Sequence, residues 1–513
     1  MSFAGRITRT LGERGDTPLL FTERAPLTAA ELLERGHLFA RMLRWLEIPP
    51  GGVVAHLLPA GWEAVVVHLG CLLAGRVSFP LNPHLPRTDL RDLLARADAR
   101  VVAAPRALLD ELAQPAGLEP VGGALGPRLL LEDENSPPHA LAMELMESSL
   151  AGAARAPRGA EVKPDAEDGA VIVTTSGTTG RPKLVLHTQG SLDAGWAALA
   201  ARWRLTSDDH LYLALPLFHV HGLCLGLHGL LAGGHRVTLD GGFDVRRARG
   251  VLGARERGIT LFYGVPTHYR RLLREAESHP FRLDHLRFCA SGSAPLGEQE
   301  RVTLTERLGV PLVERYGLSE VLILTAQDPM GAGRAGAVGT PLQGVELRCV
   351  EDAGDPATKG EVQARTPACF SEYVGEPEAT SRAFTADGWF RTGDEGVWTD
   401  AGELRLTGRL KDILITGGEN VAPTQVEQVL AAVPGVAEAA VLGLPDPDWG
   451  ERIVALVVPG EDFDVKRLIE TGQRRLAPHQ RPKEIRRVDR LPRNAMGKLD
   501  RSRLPEVFRH ADR

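Results

Sequence analysis

The stretch Val171-Ile-Val-Thr-Thr-Ser-Gly-Thr-Thr-Gly-Arg-Pro-Lys183 joins an apolar, β-branched run to a loop of hydroxyl residues and glycines. The run from Val171 to Val173 predicts a buried strand. Gly177 and Gly180 allow a tight loop that turns several backbone N–H groups toward one point. Further donors and one positive charge come from Thr174, Thr175, Ser176, Thr178, Thr179 and Lys183. Such a concave cluster of donors is suited to a polyphosphate, whereas a plain surface loop is the alternative.

The composition is that of a large folded protein without a nucleic-acid-binding surface. With 513 residues, 43% of them hydrophobic and 25% charged, the chain can bury sizeable cores. A net charge of -6 provides no basic footprint for nucleic acid. The five cysteines are scattered, which disfavours disulfide and zinc sites and favours a reducing cytoplasm. The start lacks the apolar core of a signal peptide, and the apolar stretch 211–232 contains histidines, so no membrane span is expected.

Strands and helices alternate in two successive runs. The first run predicts a helix at 28–46 capped by Thr28, strands at 53–58, 76–81 and 100–104, and helices at 62–73 and 88–97. The second predicts strands at 170–174, 211–215, 236–239, 259–263 and 286–290, and helices at 191–203, 222–232, 244–257, 267–277 and 297–308. Residues 133–168, rich in Ala, Pro and acidic residues, are expected to be a connector. The alternation indicates parallel sheets covered on both faces, in two α/β lobes.

The pattern changes near residue 335. Short strands with Gly and Pro turns then dominate, which predicts a β-rich third lobe. Residues 412–513 predict a smaller unit with helices at 423–432 and 465–476. The boundary is expected within Thr407-Gly-Arg-Leu-Lys-Asp412.

Five motifs in order carry a family resemblance. The loop at 171–183 is followed by Glu314-Arg-Tyr-Gly-Leu-Ser-Glu320, Arg391-Thr-Gly-Asp394, Gly408-Arg-Leu-Lys-Asp412 and Pro492-Arg-Asn-Ala-Met-Gly-Lys498. Over nearly its whole length the chain resembles the adenylate-forming superfamily of acyl-CoA synthetases, adenylation domains and luciferases. The resemblance implies the fold class α/β, with a large N-terminal domain (1–408) of two α/β lobes plus a β-rich lobe. A hinge (409–411) and a small mobile α+β C-terminal domain (412–513) are expected to follow.

The resemblance and the residue chemistry together assign an ATP site. Tyr316 offers a flat apolar face for adenine, and Asp394 can bind two ribose hydroxyls, although an Asp in such a turn is often only a turn residue. Glu320 would repel a triphosphate unless a Mg²⁺ lies between them, so Glu320 and Thr175 are expected to hold the metal. The expected ATP-binding residues are Thr175, Ser176, Gly177, Thr178, Thr179, Gly180, Lys183, Gly292, Ser293, Ala294, Pro295, Glu314, Arg315, Tyr316, Gly317, Ser319, Asp394 and Arg409.

Lysine is rare here, with seven among 60 lysine and arginine residues, and three of the seven fall on motif positions: Lys183, Lys411 and Lys498. In adenylation a carboxylate oxygen attacks the α-phosphorus and pyrophosphate leaves, so a cation between these oxygens stabilises the transition state. The expected catalytic residues are Lys498, Glu320 and His219. The resemblance implies that the C-terminal domain turns about Lys411. A second pose would then bring Gly417, Gly418, Glu419 and Asn420 toward the thiol of CoA.

Three segments predict the acid pocket. Pro216-Leu-Phe-His-Val-His-Gly222 has His219 where amino-acid adenylation domains usually carry Asp, which disfavours a free amino acid. With Gly264-Val-Pro-Thr-His-Tyr-Arg-Arg-Leu272 and Ala290-Ser-Gly-Ser-Ala-Pro-Leu296, it resembles the malonyl-CoA synthetase branch. A second carboxylate needs a cation, which Arg271, or Arg270 and His268, can supply; a solvated helix arginine is the alternative. The expected acid-binding residues are His219, His221, Val265, His268, Arg271 and Gly292.

Two departures from that branch bear on the substrate. Leu318, Ser319 and the apolar run Val321-Leu-Ile-Leu324 stand where that branch has Met, Thr and polar residues, and this wall could admit a monocarboxylic acyl or aryl group. Leu184 also stands where Gly is usual after the loop lysine.

The leading hypothesis is a cytoplasmic, ATP-dependent acid–CoA ligase that forms an acyl-adenylate and then an acyl-CoA thioester from malonate or another short dicarboxylate. The alternatives are a medium-chain or aryl acid–CoA ligase, and a stand-alone acyl-AMP ligase that loads the pantetheine of a carrier protein. A catalytically silent nucleotide-binding protein is disfavoured by Lys498, Glu320 and Asp394. The expected cofactors are ATP, Mg²⁺ and CoA, and the expected partner is a small carboxylic acid, with no nucleic acid.

Overall fold

The computed structural model describes residues 2–113, 139–143, 146–154, 163–175, 182–294, 296–309, 311–331, 333–351, 356–412, 414–416, 419–446, 449–493 and 498–511. Its helices are α1 Phe3–Arg14, α2 Ala29–Trp45, α3 Trp62–Ala74, α4 Arg87–Arg96, α5 Arg106–Ala113, α6 Met146–Ala153, α7 Gln189–Trp203, α8 His228–Gly233, α9 Val245–Leu252, α10 Pro266–Ser278, α11 Glu298–Leu308, α12 Pro377–Arg382, α13 Pro423–Ala431, α14 Val465–Arg475 and α15 Leu504–His510.

The first thirteen strands are β1 Pro18–Phe21, β2 Leu27–Thr28, β3 Val53–His56, β4 Val77–Pro80, β5 Ala99–Ala104, β6 His139–Ala142, β7 Gly169–Thr175, β8 Lys183–Thr188, β9 His210–Leu213, β10 Arg236–Leu239, β11 Leu261–Gly264, β12 Phe288–Ser291 and β13 Leu312–Tyr316. The others are β14 Thr325–Ala326, β15 Thr340–Pro341, β16 Glu346–Val350, β17 Pro356–Ala357, β18 Lys359–Arg365, β19 Glu372–Tyr373, β20 Phe390–Trp398, β21 Leu404–Arg409, β22 Leu414–Thr416, β23 Glu419–Val421, β24 Val436–Asp446, β25 Gly450–Pro459 and β26 Glu484–Arg487.

Two large sheets form the α/β lobes, as the alternation predicts. One has the order β19-β8-β7-β4-β3-β5-β6, with parallel pairs from β7 to β6. The other has the order β15-β14-β13-β12-β11-β9-β10-β1-β2, and its strands from β13 to β1 are parallel. The main hydrophobic core includes residues of both sheets and of α1, α2, α3, α7 and α8, while α4 and α5 cover one sheet and α9, α10 and α11 the other. The layers therefore alternate helix, sheet, helix, sheet and helix.

Two smaller sheets complete the molecule. The predicted β-rich lobe is the antiparallel sheet β17-β16-β18-β20-β21. The last residues form the sheet β23-β22-β25-β24 with β26 beside β25, and α13, α14 and α15 pack on it through two small cores. This is the predicted small α+β unit at the end of the chain.

Local sequence signals account for the element boundaries. At the start of α2, the Thr28 hydroxyl accepts from the Glu31 backbone, and the Glu31 carboxylate accepts from the Thr28 backbone. This capping box confirms the predicted cap. The helix expected at 222–232 is instead a wide π-helical segment, His221–Leu227, followed by α8. A Cβ on Gly222 would lie 2.2 Å from the Pro216 carbonyl oxygen, so this turn depends on a residue without a side chain.

The prediction of a connector over 133–168 is wrong at His139–Ala142 and Met146–Ala153, whereas 163–168 contain no helix or strand. Strand β6 pairs in parallel with β5, and α6 packs on α2. Short strands and Ala-rich helices give weak periodicity, so composition alone suggested a linker. Among the described residues, no helix is both long and apolar enough to cross a membrane.

Candidate active site

The candidate site lies where parallel strands of the larger sheet end. Val265 follows β11, Gly292 follows β12, and Gly317 follows β13. Neighbouring parallel strands carry their carboxyl ends at the same edge of a sheet, where α/β proteins bind ligands. The fold therefore brings three of the sequence-predicted segments together. Thr175 ends β7 in the other sheet.

Asp394 is held by two partners from distant parts of the chain. The Tyr316 hydroxyl donates to its Oδ2 at 2.7 Å, and Arg409 Nε lies 2.8 Å from its Oδ1. Asp394 and Arg409 are also register partners across β20 and β21. Burial raises the pKa of Asp394, while Arg409, Tyr316 and Lys498 act in the opposite direction. The adenine and ribose motifs predicted from sequence thus form one hydrogen-bonded unit.

Tyr373, a residue that the sequence did not single out, contacts both Glu320 and Lys183. The Tyr373 hydroxyl donates to Glu320 Oε1 at 2.8 Å, and Lys183 Nζ lies 4.0 Å from the centre of its ring. Tyr373 belongs to the two-residue strand β19, whose pairing with β8 brings it to Lys183. A strand of two residues has no periodic pattern. The sequence therefore contains no local signal that identifies Tyr373 as a site residue.

His187 is a second residue that the sequence did not single out. It is the next-to-last residue of β8, two residues before α7 begins, and its side chain is fully buried. Its Nε2 lies 2.7 Å from the backbone oxygen of Ser319, and its Nδ1 lies 3.1 Å from the Ser191 hydroxyl. The loop that carries Glu320 is therefore anchored to β8. Burial lowers the pKa of His187 to about 4.

A tight contact between Gly292 and Arg315 shapes the centre of the site. A Cβ on Gly292 would lie 2.4 Å from Arg315 Nε, so the guanidinium needs a glycine there. Arg315 Nη2 donates to the Ser293 hydroxyl at 3.2 Å, and that hydroxyl lies 3.4 Å from His221 Nδ1. Ser293 has φ +68°, a left-handed conformation that a non-glycine residue rarely adopts. Burial lowers the pKa of Arg315 to about 10.

Three histidines on the acid side are held neutral by burial. Burial lowers the pKa of His219 and His268 to about 4 and that of His221 well below its usual value. One ring nitrogen of each is buried without a hydrogen-bond partner among the described residues: His219 Nε2, His221 Nε2 and His268 Nδ1. The His268 ring stacks on Phe243, with centroids 4.0 Å apart. Unpartnered buried nitrogens at a site indicate groups that a ligand satisfies.

The two candidate cations for a second carboxylate differ. Arg270 is already bound by Glu300 through two hydrogen bonds of 2.7 and 3.0 Å. Arg271 is exposed, and its charge contributes to lowering the pKa of His268, which it neighbours. Arg271 is therefore the better candidate of the two.

The apolar run after Glu320 packs into the interior. All four side chains from Val321 to Leu324 are buried in the main core. Leu322 packs against Gly195 in α7: a Cβ added to Gly195 would lie only 2.6 Å from Leu322 Cδ1. At least this member of the expected acyl wall contacts a helix of the core. Glu314, beside the site, is also buried, and burial raises its pKa to about 7.

Lys498, from the C-terminal unit, reaches the same place. Burial is the first cause of its lowered pKa, followed by the charges of Arg409 and Arg315, whereas Asp394 and Glu320 oppose the shift. Its charge in turn lowers the pKa of His219 and His221. The side chain remains accessible to solvent. Lys498 therefore lies within electrostatic range of Asp394, Glu320, His219 and His221.

Several predicted residues cannot be placed. Ser176, Gly177, Thr178, Thr179, Gly180, Pro295, Gly417 and Gly418 lie outside the described residues. Lys411 follows β21, and Glu419 and Asn420 lie in β23, paired with Thr416 and Ile415, but only their backbones are described. Ala294 is exposed next to Ser293.

The arrangement fits a nucleotide with its metal. Mg²⁺ is commonly held by one or two carboxylates together with substrate phosphates. Glu320, half-buried with one oxygen already hydrogen-bonded, and Thr175 fit such an ion. Ser291 Oγ and Arg315 Nε are buried without a hydrogen-bond partner among the described residues and offer further polar contacts, whereas Glu314 Oε1 lies 3.7 Å from Arg301 Nη1.

Comparisons with known proteins agree with this geometry. The sequence pattern of the AMP-binding enzyme family matches residues 7–374, and that of its C-terminal domain matches residues 425–498. The 3-[(3aS,4S,7aS)-7a-methyl-1,5-dioxo-octahydro-1H-inden-4-yl]propanoyl:CoA ligase of Mycobacterium tuberculosis is 36% identical over 98% of both chains. The mitochondrial malonate–CoA ligase of Homo sapiens is 33% identical over 86% of this chain and 81% of that one. A probable CoA ligase of Humulus lupulus is 38% identical, but the chain spans only 61% of its length.

Solved structures give the same answer. MatB from Rhodopseudomonas palustris with bound ATP superposes with a TM-score of 0.88 at 30% identity, covering 99% of each chain. The apo form of that protein gives a TM-score of 0.80. The chain therefore belongs to the family of AMP-binding enzymes, as an AMP-forming acyl-CoA synthetase near the malonyl-CoA synthetases.

Proposed function

We propose that this enzyme activates a short dicarboxylate such as malonate and transfers the acyl group to CoA. Its cofactors are ATP, Mg²⁺ and CoA, as in the CoA ligases to which it is related. The observation that carries the proposal is the convergence of Lys498 with Asp394, Glu320, His219 and His221.

The residues divide the first half-reaction between them. Asp394 binds the ribose hydroxyls, because Arg409 and Tyr316 fix its orientation. Glu320 and Thr175 hold Mg²⁺, which would neutralise phosphate charge during pyrophosphate departure. Lys498 lies between the attacking carboxylate and the α-phosphate, where a preorganised cation stabilises developing charge. His219, neutral and next to Lys498, donates a hydrogen bond to the acid without adding a second competing charge.

The second half-reaction requires a change of pose. We assign residues 1–408 to the N-terminal domain, 409–411 to a hinge at Lys411, and 412–513 to a domain that turns. After adenylation this turn withdraws Lys498 and brings Gly417, Gly418, Glu419 and Asn420 toward the thiol. Support comes from the place of Lys498 in the C-terminal unit, whose two cores contain no residue before Leu414 among those described. CoA is the proposed acceptor, and a cytoplasmic location fits the scattered free cysteines.

A dicarboxylate is favoured by Arg271. A buried second carboxylate is prohibitive without a cation, and Arg271 lies beside His268 with Arg270 otherwise engaged. Malonate–CoA ligases are among the relatives.

A second candidate substrate is a monocarboxylic acid with a neutral polar group. The three neutral histidines offer hydrogen bonds to a carbonyl or hydroxyl, and Arg271 is exposed and could remain solvated. The M. tuberculosis relative, named for a dioxo-bicyclic propanoyl group, supports this alternative.

A panel of acids in a pyrophosphate-release assay with the wild-type enzyme decides between them. Malonate and methylmalonate represent dicarboxylates, a 4-oxo acid represents neutral polar groups, and octanoate and phenylacetate represent apolar acids. Turnover with malonate alone supports the leading proposal. Turnover with the oxo acid and none with malonate would overturn it.

Arg271→Ala sharpens the result. We expect KM for a dicarboxylate to rise roughly 10-fold or more, since a charge-assisted hydrogen bond is lost, with KM for ATP unchanged. Arg274→Ala, an exposed arginine on the same helix, is the matched control. An equal rise in KM for the dicarboxylate in both variants would show that Arg271 does not bind the second carboxylate.

A further inference from the structure

Tyr373 lies between two charged groups of the site. Its hydroxyl donates to Glu320 Oε1 at 2.8 Å, while its ring receives Lys183 Nζ at 4.0 Å from the centroid. The tyrosine is only 4% exposed, so its side chain has little freedom to leave these two contacts. In the described part of the chain Lys183 and Glu320 form no direct ion pair with each other.

The backbone fixes the tyrosine independently of these contacts. Tyr373 pairs with Val185 across β19 and β8. The Val374 backbone N–H donates to the backbone oxygen of Leu184 at 2.9 Å, and the Phe370 backbone N–H donates to the backbone oxygen of Glu320 at 2.7 Å. The Phe370 ring packs against Tyr373 with centroids 4.7 Å apart. One short strand therefore ties together the strand that starts at Lys183 and the loop that carries Glu320.

The consequence is a separation of opposite charges. A direct pair of Lys183 with Glu320 would neutralise the cation meant for phosphate and the carboxylate meant for the metal. The ring face satisfies the ammonium by a cation–π contact, and the hydroxyl satisfies one carboxylate oxygen. Each group keeps its remaining hydrogen-bonding capacity for a ligand.

We propose that Tyr373 is a positioning residue for Mg²⁺ and ATP, which orients the Glu320 carboxylate and keeps Lys183 from pairing with it. The inference rests on the proposed roles of Glu320 and Lys183 in ATP binding. The orientation of the carboxylate matters because Mg²⁺ requires nearly ideal octahedral placement of its oxygen ligands. With the hydroxyl on Oε1, Oε2 would be the oxygen available to the metal.

Metal binding tests the proposal without depending on turnover. The probe is Mn²⁺, titrated by electron paramagnetic resonance in the presence of α,β-methylene ATP. Tyr373→Phe keeps the ring and its contact with Lys183 but removes the hydroxyl. We expect the dissociation constant of Mn²⁺ to rise about 2- to 10-fold, the range for one lost hydrogen bond.

The chain provides a matched control. The Tyr212 hydroxyl donates to Asp240 Oδ2 at 2.8 Å, a buried tyrosine–carboxylate pair outside the candidate site. Tyr212→Phe should leave Mn²⁺ affinity unchanged, and thermal unfolding of both variants shows whether they are folded. An unchanged Mn²⁺ affinity in a folded Tyr373→Phe would overturn the proposal.

A double substitution separates positioning from general damage. If Tyr373 acts through Glu320, then Tyr373→Phe should weaken Mn²⁺ binding no further in a Glu320→Gln background. Additive losses would contradict that route. In addition, pyrophosphate formation by Tyr373→Phe should recover at raised Mg²⁺, which a purely structural defect would not allow. Should the wild type bind Mn²⁺ and the ATP analogue yet activate no acid, the proposed function fails while the Tyr373 comparison still stands.

Discussion

On the nucleotide side of the site, Asp394 is held by Arg409 and Tyr316, and Glu320 is held by Tyr373. On the acid side, His219, His221 and His268 each keep a buried nitrogen without a partner among the described residues. In the first region, both carboxylates already have protein partners before a ligand arrives. In the second, a ligand can supply the hydrogen bonds that these three nitrogens lack.

The difference has an energetic consequence. A carboxylate with its hydrogen bonds satisfied is held in one orientation, so the nucleotide side can be rigid before ATP binds. An unsatisfied buried polar atom costs about 1–3 kcal/mol, so the acid side stores a penalty that the right acid relieves. We therefore expect substitutions to act mainly on rate and ATP affinity in the first region, and on selectivity and stability in the second.

The largest effect is expected for Lys498→Ala. Removing a preorganised cation from the transition state should lower acid-dependent ATP–pyrophosphate exchange about 10²- to 10³-fold. Lys466→Ala, an exposed lysine of the same unit at the start of α14, is the control and should retain full exchange. Normal ATP–pyrophosphate exchange by Lys498→Ala would show that this lysine takes no part in adenylation.

Asp394→Asn tests the paired side next. The change leaves Arg409 without its carboxylate and weakens the ribose contact, so KM for ATP should rise roughly 10- to 100-fold, with KM for the acid little changed. Asp240 offers an unusually close control, because Tyr212 and Arg247 Nε hold it at 2.8 and 2.9 Å. If Asp240→Asn raised KM for ATP equally, the effect would be structural.

His268→Phe tests the unpaired side. Phenylalanine can keep the stacking on Phe243 and removes the orphaned nitrogen, so stability without ligand should increase by about 1 kcal/mol. KM for the preferred acid should rise roughly 3- to 10-fold, whereas KM for ATP should not move. Thermal unfolding and steady-state kinetics measure the two effects. A less stable variant with unchanged acid KM would show that His268 is an ordinary core residue.

The smallest expected effect is on pH dependence. Because burial lowers the pKa of His268 to about 4, the unfolded state binds its proton first as pH falls below about 6.5. Stability is thus lost as pH drops from about 6.5 toward 4, by about 1.4 kcal/mol per pH unit for each such histidine.

His268→Phe should therefore lose less stability than the wild type between pH 6.5 and 5.5, by about 1 kcal/mol. Unfolding free energies at the two pH values provide the measurement, and exposed His84→Gln is the control. Parallel pH curves for His268→Phe and wild type would show that this histidine titrates normally.

Sequence reasoning reaches furthest where the signal is local. Hydrophobic alternation predicted the two α/β lobes, and short motifs singled out Tyr316, Asp394 and Lys498, whose roles stay proposals. It failed where pairing is long-range: β6, His-Ala-Leu-Ala, has no β-branched residue, β19 has only two residues, and Tyr373 meets Lys183 only when β19 pairs with β8. The neutrality of His219 and His268 also depends on burial, which no local pattern contains.

We propose that Lys498 serves adenylation alone and that a different pose of the C-terminal unit serves thioester formation. The direct measurement is single-turnover transfer from a supplied acyl-adenylate to CoA, comparing Lys498→Ala with the wild type. We expect the two transfer rates to lie within about 3-fold of each other, although ATP–pyrophosphate exchange by Lys498→Ala falls by about 10²- to 10³-fold. An equal loss in both half-reactions would contradict it.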